Sequence, residues 1–252
     1  MRLEDVTLAI RPRGRLESID LGFSLAREHW RALWRAWAVT ALPAMALCSV
    51  LGYWLPGWVA LSVWWFKPLY DRIVLWVLSR VVFGGGVSLT DLRRALPALL
   101  TKTGLGADLT LRRFGLQRSF NLPVTQLEQQ RGGLRRRRLI GLHADTLNTA
   151  QGLTLSCIQF EIVLYLALLG LAMILLPPGA EIELRDVFNT GAAPAWFSVC
   201  AEAAYVVALS VVEPFYVAGG FALYLNRRTW LEGWDLELEF RRLSAPVVGK
   251  AA

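Results

Sequence analysis

The chain has 252 residues, of which 55% are hydrophobic, with a formal net charge of +7 and a mean hydropathy of +0.41. Average soluble proteins contain roughly 45–50% apolar residues, and here the excess falls in four blocks, which favours membrane spans over one large soluble core. The basic residues flank these blocks, so orientation in a membrane and anionic lipid account for the charge. We therefore expect membrane lipids as partners and exclude nucleic acid.

Residues 1–35 are predicted to form a cytoplasmic N-terminus that contains an amphipathic helix. Between residues 15 and 35, charged side chains lie mostly on one side of the helix and apolar side chains repeat on the other. The apolar positions are Ile19, Phe23, Ala26, Trp30 and Leu33. Such a helix suits the membrane surface, and packing beneath the cytoplasmic ends of the spans is compatible with that position.

Residues 36–83 are predicted to form a first transmembrane hairpin. Its first span runs from about Ala36 to Leu55, and the second from about Trp58 to Phe83. The second span is roughly 39 Å long, more than a bilayer core requires, and the polar hexad KPLYDR at 67–72 interrupts it. It either kinks at Pro68 or consists of two half-helices around a polar break. In both cases the hexad is expected to avoid lipid.

Residues 84–150 form a basic, mixed segment that is predicted to be cytoplasmic. A helix is expected from Asp91 to Leu100, with Ser88 or Thr90 as its cap. The stretch 119–123 is predicted to be extended or looped. Further along, Thr125 and Glu128 have the spacing of a capping box, which predicts a helix that Gly132 and Gly133 interrupt.

The arginines of this segment are predicted to contact anionic headgroups or a protein partner, at about 1 kcal/mol per basic residue for lipid. They are Arg112, Arg113, Arg118, Arg135, Arg136, Arg137 and Arg138. The alternative is that positive charge beside a span only stops its transfer across the membrane.

Residues 151–226 are predicted to form a second transmembrane hairpin, followed by a cytoplasmic C-terminal helix and tail over 227–252. The third span runs from about Gly152 to Leu176, and the fourth from about Pro194 to Leu225. Of 27 Lys and Arg, only Arg185 falls in the long loop between them. The distribution of positive charge therefore predicts an all-α protein with four transmembrane helices and both termini in the cytoplasm.

The two hairpins share a sequence pattern. The pentapeptide VALSV occupies both 59–63 and 207–211, and KPLY at 67–70 corresponds to EPFY at 213–216. The pattern predicts two tandem repeats related by an axis along the membrane normal. The alternative is a chance recurrence of Pro and Tyr in apolar sequence.

Ionisable side chains inside the second and fourth spans predict a polar centre within the membrane. Lys67 and Glu213 both lie roughly 20 Å from the cytoplasmic interface. Lys67 either pairs with Glu213 across the repeats or with Asp71, its i+4 neighbour on one helix. The predicted centre comprises Lys67, Tyr70, Asp71, Arg72, Glu161, Glu213 and Tyr216. It forms either a path for a substrate or proton, or polar contacts that fix the helix register.

The sequence predicts no catalytic residues, no cofactor and no metal site. The two histidines, His29 and His143, have no acidic or cysteine residue at a ligand spacing. The glycines at 84–86 lack the Lys-Ser/Thr pair that completes a nucleotide-binding loop. A GxSxG motif is also absent from the sequence.

Three stretches resemble an uncharacterised family of proteobacterial inner-membrane proteins. They are WWFKPLYDR at 64–72, RSFNLPV at 118–124, and 213–235, which begins EPFY and ends EGWD. The C-terminal stretch also distantly resembles the membrane domain attached to some glycerophosphodiester phosphodiesterases, from which no active site carries over. The resemblance implies an inner-membrane location, and members tend to lie near MoxR-type ATPases and transglutaminase-like membrane proteins.

The sequence therefore predicts a non-catalytic inner-membrane subunit or scaffold of an envelope-associated complex, which binds a membrane or cytoplasmic protein partner or anionic lipid through its basic face. The alternative is a transporter or lipid-handling protein that uses the polar centre. Four spans make a complete transporter only with difficulty, so a homo-oligomer is expected in that case.

Overall fold

The computed structural model describes residues 11–52, 58–110, 112–175 and 195–233. Across these ranges the regular secondary structure is entirely helical, which confirms the all-α prediction. The described helices are α1 (Arg15–Glu28), α2 (Trp30–Gly52), α3 (Trp58–Trp65), α4 (Lys67–Val82), α5 (Leu89–Thr101), α6 (Leu105–Leu109), α7 (Arg118–Gln126), α8 (Gly132–His143), α9 (Leu147–Ile174) and α10 (Ala195–Glu232).

Two of the described helices, α9 and α10, are long and apolar enough to cross a membrane. They pack as an antiparallel pair, because Tyr165 stacks edge-on against Tyr205 near one end while Leu153 borders Gly219 near the other. Only 11% of the most apolar window of α9 is buried within the protein, compared with 72% for α10. An apolar helix with so little protein around it is typical of a lipid-facing element.

The N-terminal amphipathic pattern is correct, but it spans two helices. His29 interrupts the predicted helix, since its backbone leaves the helical region at φ −105° and ψ 19°, and α2 begins at Trp30. The helix α1 lies against α10, where the Phe23 ring meets Phe215 edge-on at 5.7 Å. Ala26 on the same face is fully buried. The alternative in which this helix packs against the spans therefore describes its observed contacts.

Small residues allow α1 and α7 to approach α10 closely. A Cβ added to Gly22 on α1 would lie 2.7 Å from the Ala218 carbonyl carbon and 2.8 Å from Gly219 Cα. A Cβ added to Gly220 would lie 2.5 Å from Ser119 Cβ. Any larger residue at Gly22 or Gly220 would therefore displace the neighbouring helix. Small residues are typical of such close helix contacts.

The predicted second span is discontinuous. Phe66 (φ −83°, ψ 2°) separates α3, with eight residues, from α4, with sixteen. Pro68 follows at the start of α4, where the missing N–H costs little. The corresponding Pro214 lies inside α10, which continues past it. The two candidate repeats therefore differ at this point, and the tandem repeat and the four-span arrangement stay predictions.

The segment 84–150 is more helical than the sequence pattern suggests. The Ser88 cap of α5 is confirmed, because its hydroxyl accepts from the Thr90 N–H at 3.2 Å. The extended stretch predicted for 119–123 is wrong, since these residues lie in α7. The predicted capping box is also wrong: Thr125 sits in the last turn of α7, and Gly132 begins α8. Burial of α7 against α4, α9 and α10 outweighs its weak helix propensity.

A buried polar centre as the candidate functional site

The KPLYDR hexad forms the first turns of α4, and its polar side chains reach different parts of the fold. Lys67 and Asp71 lie on one face of the helix as i and i+4 neighbours, and Arg72 points about 100° away from Asp71, yet all three side chains contact different neighbours. Lys67 reaches α9 and α10, Asp71 reaches the start of α7, and Arg72 reaches α6 and the turn after α5. All three residues are buried. The hexad therefore joins α4 to α9, to α10 and to the 84–150 segment.

Lys67 pairs with two carboxylates from the second hairpin. Its Nζ lies 2.5 Å from Glu161 Oε2 and 3.3 Å from Glu213 Oε2. The predicted pair across the hairpins is thus present, and Glu161 is the closer partner. Asp71, the local alternative, instead makes its described ion pair with Arg118.

Arg118, the first residue of α7, bridges two carboxylates. Its Nε lies 2.9 Å from Asp71 Oδ2, an ion pair without the angle of a hydrogen bond, and its Nη2 lies 3.7 Å from Glu213 Oε1. The guanidinium carbon is also 5.7 Å from the centre of the Tyr216 ring. These contacts fix the start of α7 between α4 and α10.

Arg72 is fully buried and is satisfied by the segment 84–150. It forms an ion pair with Asp108, donates from Nε to Thr103 Oγ1 at 2.7 Å, and donates from Nη1 to the Pro68 carbonyl at 2.5 Å. The Gln126 side chain donates to the Arg72 carbonyl at 2.8 Å. The roles of Thr103, Asp108 and Gln126 were not predicted from the sequence. Their only signal was polarity, which in a loop segment indicates solvent as readily as a buried partner.

The two tyrosines of the predicted centre lie at its edges. The Tyr70 ring packs edge-on against Trp37 of α2 at 6.1 Å. The Tyr216 hydroxyl accepts from the Ser119 N–H at 3.2 Å and from Thr154 Oγ1 at 3.4 Å. Tyr216 therefore contacts α7 and α9 together, although Ser119 and Thr154 had no distinguishing sequence signal.

A cavity of about 200 Å³ adjoins the centre. Its wall includes Lys67, Arg113, Arg118, Glu161 and Glu213 among apolar side chains. Arg113 is only 4% exposed: its guanidinium carbon lies 3.9 Å from the centre of a Trp64 ring, and its Nη2 donates to the Trp64 carbonyl. Burial, assisted by the like charge of Arg118, lowers the pKa of Arg113 to about 10.

The predicted basic face is smaller than its arginine count suggests. Arg113 and Arg118 point into the protein, so they do not form part of an exposed face. Arg135 donates to Thr125 Oγ1 at 2.9 Å, and Arg112 lies 3.5 Å from Asp108. The remaining members of the predicted set behave differently: Arg138 is paired, whereas Arg136 and Arg137 are exposed.

A second ionic cluster fixes the α7–α8 connection to the end of α10. Arg138 makes three hydrogen bonds to Glu128 at 2.8–3.1 Å and also pairs with Glu232. Tyr224 donates to Glu128 at 2.6 Å, and Arg228 lies 2.6 Å from Glu232. The contacts between the two halves of this cluster were not predicted, because Glu128 and Arg138 are more than ninety residues away in sequence from Tyr224 and Glu232, respectively.

The chemistry of the polar centre is mutual neutralisation of buried charges from separate helices. Paired charges of this kind hold elements in register, and their removal one at a time is costly. Within the described ranges, no group of three or more His, Cys, Asp and Glu side chains is arranged to hold a metal ion.

Comparison with protein families, curated proteins and solved structures finds no match to this chain. The resemblances drawn from its motifs therefore stay predictions.

Proposed function

We propose that the chain is a non-catalytic, four-span subunit of the bacterial inner membrane that acts as a scaffold in an envelope-associated complex, with both termini in the cytoplasm. The helices α9 and α10 supply two spans, and α2 and the α3–α4 pair supply the others. Exposed apolar side chains on α2 support this assignment, since Leu42, Leu47 and Val50 are 47–65% exposed and require lipid or protein cover.

The observation that carries the proposal is the set of buried ion pairs between α4 and the segment 84–150. Arg118 with Asp71 and Arg72 with Asp108 each join a predicted cytoplasmic residue to a predicted span. Separating a buried charge from its partner costs roughly 3–5 kcal/mol. The segment is therefore held rigidly on the membrane helices, and a rigid cytoplasmic surface is what a scaffold requires.

The surface offered to a partner lies on α8 and consists of Leu134, Arg136, Arg137 and Ile140, hereafter the α8 surface. Leu134 and Ile140 are each 65% exposed, and both arginines are exposed. The opposite side of α8 is held down by buried Leu139 and Leu142. Arginine beside exposed apolar side chains is the composition that protein interfaces favour. We assign the α8 surface to a protein partner, with anionic headgroups as the alternative occupant.

Mass spectrometry of protein extracted gently from native membranes tests this assignment. The test variant carries Arg136→Gln and Arg137→Gln, and the control carries Arg93→Gln and Arg94→Gln, a matched exposed pair on α5. We expect a stoichiometric protein partner with the wild type and the control, and its loss from the test variant. Loss of anionic lipid instead would reassign the surface to headgroups, and a wild type without any protein partner would contradict the scaffold.

A lipid-handling or transport role is the second candidate, and the cavity beside the polar centre favours it. In this role Lys67, Glu161 and Glu213 line a path for a substrate or proton, and they also fix the helix register. A transporter with four spans is expected to work as a homo-oligomer, so the oligomeric state of the extracted protein separates the two candidates.

A further inference from the structure

The cavity beside the polar centre is bounded by the α3–α4 junction, the 113–118 stretch, α9 and α10. Its volume of about 200 Å³ compares with the roughly 30 Å³ that one water occupies in the liquid. It therefore has room for a small polar group, such as a phosphate with its ester linkage, but not for a whole lipid molecule.

One cation of the cavity wall retains unused hydrogen-bonding capacity. Nε and Nη1 of Arg113 are buried and have no hydrogen-bond partner among the described residues. The neighbouring carboxylates of Glu161 and Glu213 are within 3.3 Å of Lys67. A buried guanidinium without acceptors is costly, whereas a charge-assisted bond to an oxyanion is strong. Arg113 therefore has two N–H groups without a described acceptor, and it lines the cavity together with two further cations, Lys67 and Arg118, and two carboxylates, Glu161 and Glu213. The cationic side chains of the wall outnumber its carboxylates by three to two.

The mouth of the cavity is apolar and lies beside a lipid-facing helix. Phe114 and Ile158 line the cavity and are also 74% and 43% exposed. Ile158 continues a stripe along α9 with Leu155 and Ile162, which are 55% and 48% exposed. A lipid acyl chain that leaves the cavity between Phe114 and Ile158 would enter the hydrocarbon layer of the membrane, which this stripe faces.

We propose that this cavity binds the phosphate headgroup of an acidic phospholipid, with the Arg113 guanidinium donating to the phosphate oxygens and an acyl chain leaving between Phe114 and Ile158. The site is distinct from the α8 surface, and it does not depend on the scaffold function. Arginine is a frequent ligand of phosphate, because each of its N–H groups can donate a charge-assisted hydrogen bond to a phosphate oxygen.

Native mass spectrometry of the full-length protein in an uncharged detergent, titrated with a phosphatidylglycerol, tests the site. The test variant is Arg113→Gln, and Arg112→Gln is the matched control, because Arg112 is the preceding residue but is half-buried near Asp108 and does not line this cavity. We expect the affinity of the tightest lipid to fall at least about tenfold in Arg113→Gln and less than about twofold in the control. Equal affinity in Arg113→Gln and wild type, or equal losses in the two variants, would overturn the proposal.

A second variant keeps the proposal testable if Arg113→Gln fails to fold. Phe114 is largely exposed, so Phe114→Ser should fold, and we expect it to weaken lipid binding without changing any binding of inorganic phosphate. Unchanged lipid binding in Phe114→Ser would overturn the acyl-chain path. Inorganic phosphate bound as tightly as the lipid would identify a soluble anion and overturn the lipid assignment.

Discussion

Replacement of Gly22 by alanine is expected to destabilise the protein through a backbone collision between α1 and α10. The added Cβ would lie 2.7 Å from the Ala218 carbonyl carbon and 2.8 Å from Gly219 Cα, whereas ordinary contacts are 3.4–4 Å. The two helices must therefore separate by about 1 Å, and overpacking of this kind costs roughly 1–3 kcal/mol. The higher helix propensity of alanine offsets about 1 kcal/mol of this cost. We therefore expect the free energy of unfolding to fall by up to about 2 kcal/mol.

The matched control is Gly141→Ala on α8, where no described atom lies within 4 Å of the added Cβ. At this position only the higher helix propensity of alanine acts, so Gly141→Ala should raise the free energy of unfolding by roughly 0.5–1 kcal/mol. Denaturant unfolding in detergent, followed by far-UV circular dichroism, measures both variants against the wild type. If Gly22→Ala is as stable as Gly141→Ala, α1 does not pack closely on α10.

Two further predictions concern buried charge and pH. Lys67→Met should lower the free energy of unfolding by about 3–5 kcal/mol, because Glu161 and Glu213 lose their cation. The double variant Lys67→Met with Glu161→Leu should recover most of that loss. A double variant no more stable than the single variant would refute the pairing. Burial, together with Arg135, lowers the pKa of His143. The unfolded chain then binds a proton more readily, so His143 contributes full stability above about pH 6.5 and less as the pH falls below that value. The thermal midpoint should therefore drop less between about pH 7.5 and about pH 5 in His143→Gln than in the wild type, and equal drops would contradict the role of His143.

Features with a local signal were predictable from the sequence. The hydropathy and length of α9 and α10 identify them as candidate spans, and the periodicity of apolar residues identifies the buried face of α1. The Lys67–Glu213 contact was one of two pairings left open by the sequence, and it was suggested by their opposite charges and their equal distance from the predicted cytoplasmic interface. In each case the physical cause lies in residues close together in sequence, or in the cost of burying a charge.

Features that depend on distant packing were not predictable. The stretch 119–123 contains Asn121 and Pro123, which disfavour a helix locally, yet burial between α4, α9 and α10 makes it helical. Arg113 and Arg118 belong to a basic segment whose composition indicates exposure, and only the fold turns them inward. A kink at Pro68 or a break at the polar hexad was predicted from the sequence, but the residue at which the helix is interrupted, Phe66, was not.

A double-mutant cycle between Asp71 and Arg118 tests the central claim most directly, since this ion pair joins a predicted span to the 84–150 segment. The free energy of unfolding is measured for Asp71→Asn, Arg118→Gln, the double variant and the wild type. Because Asp71 is buried, the Arg118 side chain is only 14% exposed and the paired atoms are 2.9 Å apart, we predict a coupling energy of about 2 kcal/mol. A coupling energy within about 0.3 kcal/mol of zero would mean that the two changes are additive, and it would contradict a cytoplasmic segment fixed to the membrane helices by buried charge.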